Sequence, residues 1–339
     1  MLAHYRGMFF VEYRLLPESQ HNIFTQIFYL LTRFGEQPVI VFFVLSGFLV
    51  GGRAIENILN KDVNIKSYCI NRFVRIFLPL IASSILVIII DLVMSAPIPF
   101  VDILGSLFSF QVIFTSCSYN PPLWSLAYEV WFYIMMGCIM TISIRKKDGT
   151  NSIYAFLIFV ICIYFFLILK PIYLLIWLMG ALAYLLPREN ISYKKIKILS
   201  LIILLSISFG LSQSVSDSRS IKITLFSFLN DTNISIFLAL ITCLLVHYII
   251  TAVPKKKIEQ QVEEIGSKLA SFSYSLYLTH YPLMRLLSYY GFPKSEQINV
   301  KSISLYFLEL TIGLITAYLI YLISENHTYT IKKIIKAKF

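Results

Sequence analysis

Residues 123–133 read LWSLAYEVWFY, and the apolar run MMGCIMTISI follows at 135–144. Together they make a segment of 22 residues, long enough at 1.5 Å per residue to cross a bilayer core of roughly 30 Å. Two of the chain's three tryptophans lie in it, and Glu129 is its only carboxylate or basic residue. On insertion scales a charge at the centre of a span costs about 2.5–3.5 kcal/mol, so an acidic residue there is a functional hypothesis by default.

Composition supports the membrane reading. Of 339 residues, 58% are hydrophobic and 14% charged, with a mean hydropathy of +0.75; soluble domains carry about 25% charged residues. The chain reads as an integral membrane protein. Its formal net charge of +11 falls in short basic clusters between apolar runs, the pattern that marks a cytoplasmic side and not a nucleic-acid surface. The five cysteines form no CxxC pair, and the histidines at 4, 21, 247, 280 and 327 lack metal-ligand spacing. Neither a disulfide framework nor a metal site is expected.

Apolar runs appear at about 37–52, 74–94, 123–144, 152–169, 171–187, 197–212, 234–253, 270–290 and 303–323, with a weaker one at 103–117. Basic clusters lie at 53–75, 145–147, 188–197, 255–268 and 332–338. If all five are cytoplasmic, an even number of crossings separates each neighbouring pair, which requires that 103–117 not cross. It is expected to be re-entrant or interfacial, within an outer loop over 95–122, and such backbone needs protein or a water-filled cavity around it. The expectation is an all-α polytopic fold of about ten transmembrane helices. Counting back from 37–52 places 13–36 outside, which requires a crossing before residue 13 for which residues 1–12 are too few. The first helix is therefore expected to be truncated, with the true start upstream.

Several groups stand out against this topology. Ser125 and Glu129 are four apart on one helical face, with Phe132 and Tyr133 one turn further in. A desolvated carboxylate can accept a proton or hold an imidazole in one tautomer. Equally, Trp124, Tyr128, Trp131 and Tyr133 can form an interfacial aromatic belt, with Glu129 paired to a base. Arg72 and Arg75, three apart at the start of the next span, can grip phosphate oxygens bidentately or simply anchor the cytoplasmic side. His4 sits in the first span, where histidine marks a proton path or is satisfied by a carbonyl. His280 and Tyr277, in SYSLYLTHYPL (273–283), lie beside Pro282, which frees a carbonyl one turn earlier that can satisfy the cluster. Gly47 and Gly51 read as close helix packing.

The ordered set HYRG, FFVLSGFLV, RFVRIFLPL, PPLWSLAYEVWFY and SYSLYLTHYPL resembles the membrane acyltransferase 3 family of envelope-modifying O-acyltransferases, across essentially the whole chain. The resemblance implies that acetyl-CoA, or another acyl-CoA, serves as donor from the cytoplasm. It implies an acceptor hydroxyl on the far side, on a surface polysaccharide such as O-antigen or its lipid-linked precursor. His4 matches the family's essential histidine, whose partner arginine falls ahead of Met1; Arg72 and Arg75 match its paired arginines as the donor-binding pair. Trp124, Ser125, Glu129, Phe132 and Tyr133 match its WSLxxExxFY motif. His4 and Glu129 are thus the expected catalytic residues, with Trp124, Ser125, Tyr133, Tyr277 and His280 lining the substrate. One transmembrane acyltransferase domain is expected over 1–325, with a short basic cytoplasmic tail at 326–339, no appended soluble domain and a place in the bacterial inner membrane. The rival is a transporter or flippase of lipid-linked sugars, which would also use buried charges but favours internal repeats; no convincing repeat appears.

Overall fold

The computed structural model describes residues 1–338 except 34, 145–149, 188–193, 218–230, 251–256 and 292–293. Numbered in chain order, its helices begin with α1 (Leu2–Phe9), α2 (Ile23–Thr32), α3 (Gln37–Ser46), α4 (Arg53–Leu59), α5 (Ile65–Val93) and α6 (Phe100–Leu107). The central set is α7 (Trp124–Ser143), α8 (Thr150–Ile168), α9 (Pro171–Tyr184), α10 (Lys194–Asp217) and α11 (Asp231–Ile250). The chain closes with α12 (Lys257–Ser271), α13 (Ser273–Tyr289), α14 (Val300–Ile323) and α15 (Thr328–Lys338). No strand occurs among the described residues, and the protein is an all-α, multi-pass membrane protein.

Local sequence explains the boundaries. Pro121 and Pro122 precede α7 and Pro171 opens α9, positions where a missing N–H costs nothing. Asn22 and Asn299 start α2 and α14 with reciprocal capping bonds to Thr25 and Ser302. Nearly every apolar run becomes a helix within a few residues of its expected limits. Among the described residues, six helices are both long and apolar enough to cross a membrane, fewer than the ten expected from the runs. The shortfall has physical reasons: α9 and Lys197–Gly210 are apolar but short, and α13, of 17 residues, carries His280 and Arg285. The segment over 103–117 does not cross. It holds only the end of the eight-residue α6, about 12 Å long, followed by turns. The basic cluster at 145–147 lies outside the described residues, as do parts of 188–197 and 255–268.

The helices divide into two compact units. The first comprises residues 1–35, 66–127 and 256–339; the second comprises 36–65 and 128–255. In the first, α13 packs on α14 and both receive α1. A core of Tyr5, Phe9, Phe10, Tyr29, Met284, Tyr306 and Leu310 fills the space around α1. In the second, α3 continues into a π-helical turn, Gly47–Gly52, that packs on α9. A Cβ on Gly47 would overlap the Trp177 carbonyl, and one on Gly180 would overlap that of Val44, so the two backbones touch.

Candidate functional site

In the first unit, α1 carries His4 to within 5.3 Å of His280 on α13, ring centroid to ring centroid, with the planes tilted by 42°. The edge of Tyr281 meets the same His4 ring at 6.2 Å. His280 is 3% exposed, and its Nδ1 faces two carbonyls of its own helix, Leu276 at 3.1 Å and Tyr277 at 2.9 Å. Carbonyl oxygens only accept, so Nδ1 carries the hydrogen and Nε2 of the neutral ring offers a lone pair. That Nε2 is buried with no hydrogen-bond partner among the described residues.

The carbonyl that Pro282 frees is that of Leu278, four residues back, and His280 does not take it. Asn120 Nδ2 donates to it at 2.8 Å from the loop before α7. The polar cluster at His280 is therefore not explained by the proline, contrary to the sequence expectation. Tyr277 donates to the Pro122 carbonyl at 2.5 Å and accepts from the Ser125 hydroxyl at 3.0 Å, which ties the first turn of α7 to α13. Arg285 completes the seam: Nη2 reaches Asp91 Oδ1 at 3.0 Å and Nη1 the Tyr119 carbonyl at 3.3 Å. The loop itself is held by Gln111, whose amide donates to the Leu123 carbonyl, and by Asp102, which accepts from Ser116 and Ser118. Ser125 and Tyr277 are thus mutual partners, while Trp124, half-buried, opens α7.

Glu129 belongs to the second unit and is 5% exposed. The Ser46 hydroxyl donates to its Oε1 at 3.1 Å, and the Tyr133 hydroxyl donates to the same oxygen. Ser46 in turn accepts from Trp177 Nε1 at 3.1 Å. The carboxylate is fixed by a chain of buried donors that begins on α9, passes through the end of α3 and ends on α7. Phe132 stacks between Phe166 and Trp177 and walls this cluster off. Tyr128, Trp131 and Tyr133 are buried against protein, so the stretch is no exposed aromatic belt. Tyr128 accepts from the Lys170 amide at 2.9 Å, and Trp131 meets the Phe165 ring at 4.6 Å. Ser46, Trp177, Asn120 and the pair Asp91–Arg285 were not singled out from the sequence.

Arg72 and Arg75 lie near the start of α5. Arg75 Nη2 pairs with Glu325 Oε1 at 3.3 Å, while Glu325 Oε2 accepts from the Ser275 amide and hydroxyl at 3.3 and 2.9 Å. Glu325 is 3% exposed, so this acid anchors the arginine from below, while the Arg75 side chain is itself 48% exposed.

A family model described as an acyltransferase domain matches residues 1–322. No curated protein and no solved structure matches the chain.

Proposed function

The chain belongs to the acyltransferase 3 family of membrane proteins, and from that premise we propose that it is an O-acyltransferase with acyl-CoA, most simply acetyl-CoA, as cytoplasmic donor. The acceptor is a hydroxyl of a cell-surface polysaccharide or its lipid-linked precursor on the opposite face, and the protein sits in the cytoplasmic membrane of a bacterium. The observation that carries the reading is the close approach of His4 to His280, whose buried Nε2 has no hydrogen-bond partner among the described residues.

An unassisted sugar hydroxyl is a poor nucleophile near neutral pH, and a positioned base contributes typically about 10²–10⁴-fold. His4 serves as that base. It takes the hydroxyl proton as the oxygen attacks the thioester carbon; the C–O bond forms, the C–S bond breaks, and the proton leaves on the CoA thiol. His280 holds the His4 ring in place through its own fixed tautomer. Within the second unit Glu129, its position set by Ser46 and Tyr133, is the further residue to which the family motif gives a catalytic role. Arg72 and Arg75 take the donor's phosphates.

Mass spectrometry of envelope glycans with and without the gene tests the reading. The expected result is loss of one acetyl mass per repeat unit at unchanged chain length. Shortened or missing chains would instead mark a transporter or flippase of lipid-linked sugars and overturn it.

A further inference from the structure

Beyond the arginine pair, the first unit gathers two more cations at the same end of α5. Lys336 of α15 donates to Ser67 Oγ at 2.7 Å, five residues before Arg72, and Asn71 donates to that hydroxyl at 3.4 Å. Lys332 lies one turn earlier on the same face of α15. Burial lowers its ammonium pKa, and the charges of Arg72, Arg75 and Lys336 lower it further. The nearby acid Glu325 is already committed to Arg75 and Ser275. Anchoring a cytoplasmic face needs positive charge but not its convergence. Two helices more than 200 residues apart in sequence bring four cations together, two with fork geometry and two as point charges, at a half-exposed edge. Such convergence is repaid when a multiply charged anion lies among the groups.

We propose that Lys332 and Lys336 join Arg72 and Arg75 in one phosphate-binding site that takes the phosphates of the acyl-CoA donor. The assignment rests on the donor named above. An anionic lipid headgroup presents the same phosphate chemistry, and the test separates the two.

The full chain in nanodiscs of zwitterionic lipid is titrated with CoA, with dephospho-CoA and with pantetheine, which lacks every phosphate. A Lys332→Gln/Lys336→Gln double variant is compared with the Lys→Arg double variant and with Lys333→Gln, which alters an exposed neighbour. Loss of a charge-assisted hydrogen bond corresponds to about tenfold or more in affinity. The double Gln variant is expected to bind CoA at least tenfold more weakly, the Arg variant and Lys333→Gln as the parent does, and pantetheine equally in all. Equal CoA affinity in parent and double Gln variant overturns this inference and leaves the donor intact. If the parent does not bind CoA at all, the donor reading itself fails, and this inference fails with it. If the double Gln change leaves CoA affinity unaltered but weakens retention of anionic lipid in the nanodisc, the site belongs to headgroups and this inference is overturned.

Discussion

His4 on α1 and His280 on α13 meet with ring centroids 5.3 Å apart and planes tilted by 42°, and His280 is locked by Leu276 and Tyr277 so that its Nε2 is left as an acceptor. His4→Ala should reduce acyl transfer by at least about 10²-fold, the usual contribution of a positioned base, while the protein remains in the membrane fraction. Glycan acetyl content against immunodetected protein checks both; retained activity would remove His4 from the mechanism. His280→Asn, which keeps a donor for the helix carbonyls but loses the ring, should lower kcat with KM little changed, since it acts through His4.

Glu129 separates charge from hydrogen bonding. Gln keeps an oxygen to accept from Ser46 and Tyr133, so Glu129→Gln should fold and melt as the parent does. Its turnover should fall by about tenfold or more, the scale of an interaction with a charged group. Unchanged turnover would assign Glu129 to structure alone.

Asp91 is fully buried and Arg285 largely so. Breaking a buried ion pair from one side costs about 3–5 kcal/mol, because the remaining charge is stranded. Arg285→Gln should therefore lower the melting temperature in detergent markedly, and adding Asp91→Asn should recover much of the loss. A double variant as unstable as the single would show that the Tyr119 carbonyl, not the ion pair, is what Arg285 serves.

At Gly47 no side chain fits, since the added carbon would meet the Trp177 carbonyl. Overpacking costs about 1–3 kcal/mol in ordinary cores, and backbone is a stiffer neighbour than a side chain. Gly47→Ala should thus destabilise the second unit, visible as low yield of folded protein by size exclusion. Gly210→Ala, with open space around it, should not.

The helices were legible because membrane spans announce themselves by about twenty apolar residues, and Glu129 because a carboxylate within such a run is conspicuous. Its partners were not. Ser46 is 83 positions away and sits in a run that reads as packing; Trp177 looks like any core aromatic. The spacing of Arg72 and Arg75 was visible in sequence, but Lys336 meets that region across 269 positions, and no periodicity encodes such a distance. Pro282 signalled a freed carbonyl correctly, yet only the folded loop shows that an asparagine 158 residues earlier receives it. Where helices are short or carry His and Arg, as in α9 and α13, composition over a window does not reveal where a helix stops.

The bond from Asn120 to the Leu278 carbonyl joins segments made 158 residues apart. The second unit uses residues 36–65 and 128–255, so all its parts are translated before α13. The first unit needs residues from 256 onward, and until they emerge the loop before α7 has its amide without its acceptor. Once made, α13 carries an unsatisfied carbonyl beside Pro282 that hydrocarbon cannot solvate. Docking against that loop satisfies both at once, so the proline that bares a carbonyl on the late helix also gives it a specific polar partner in a segment translated long before it.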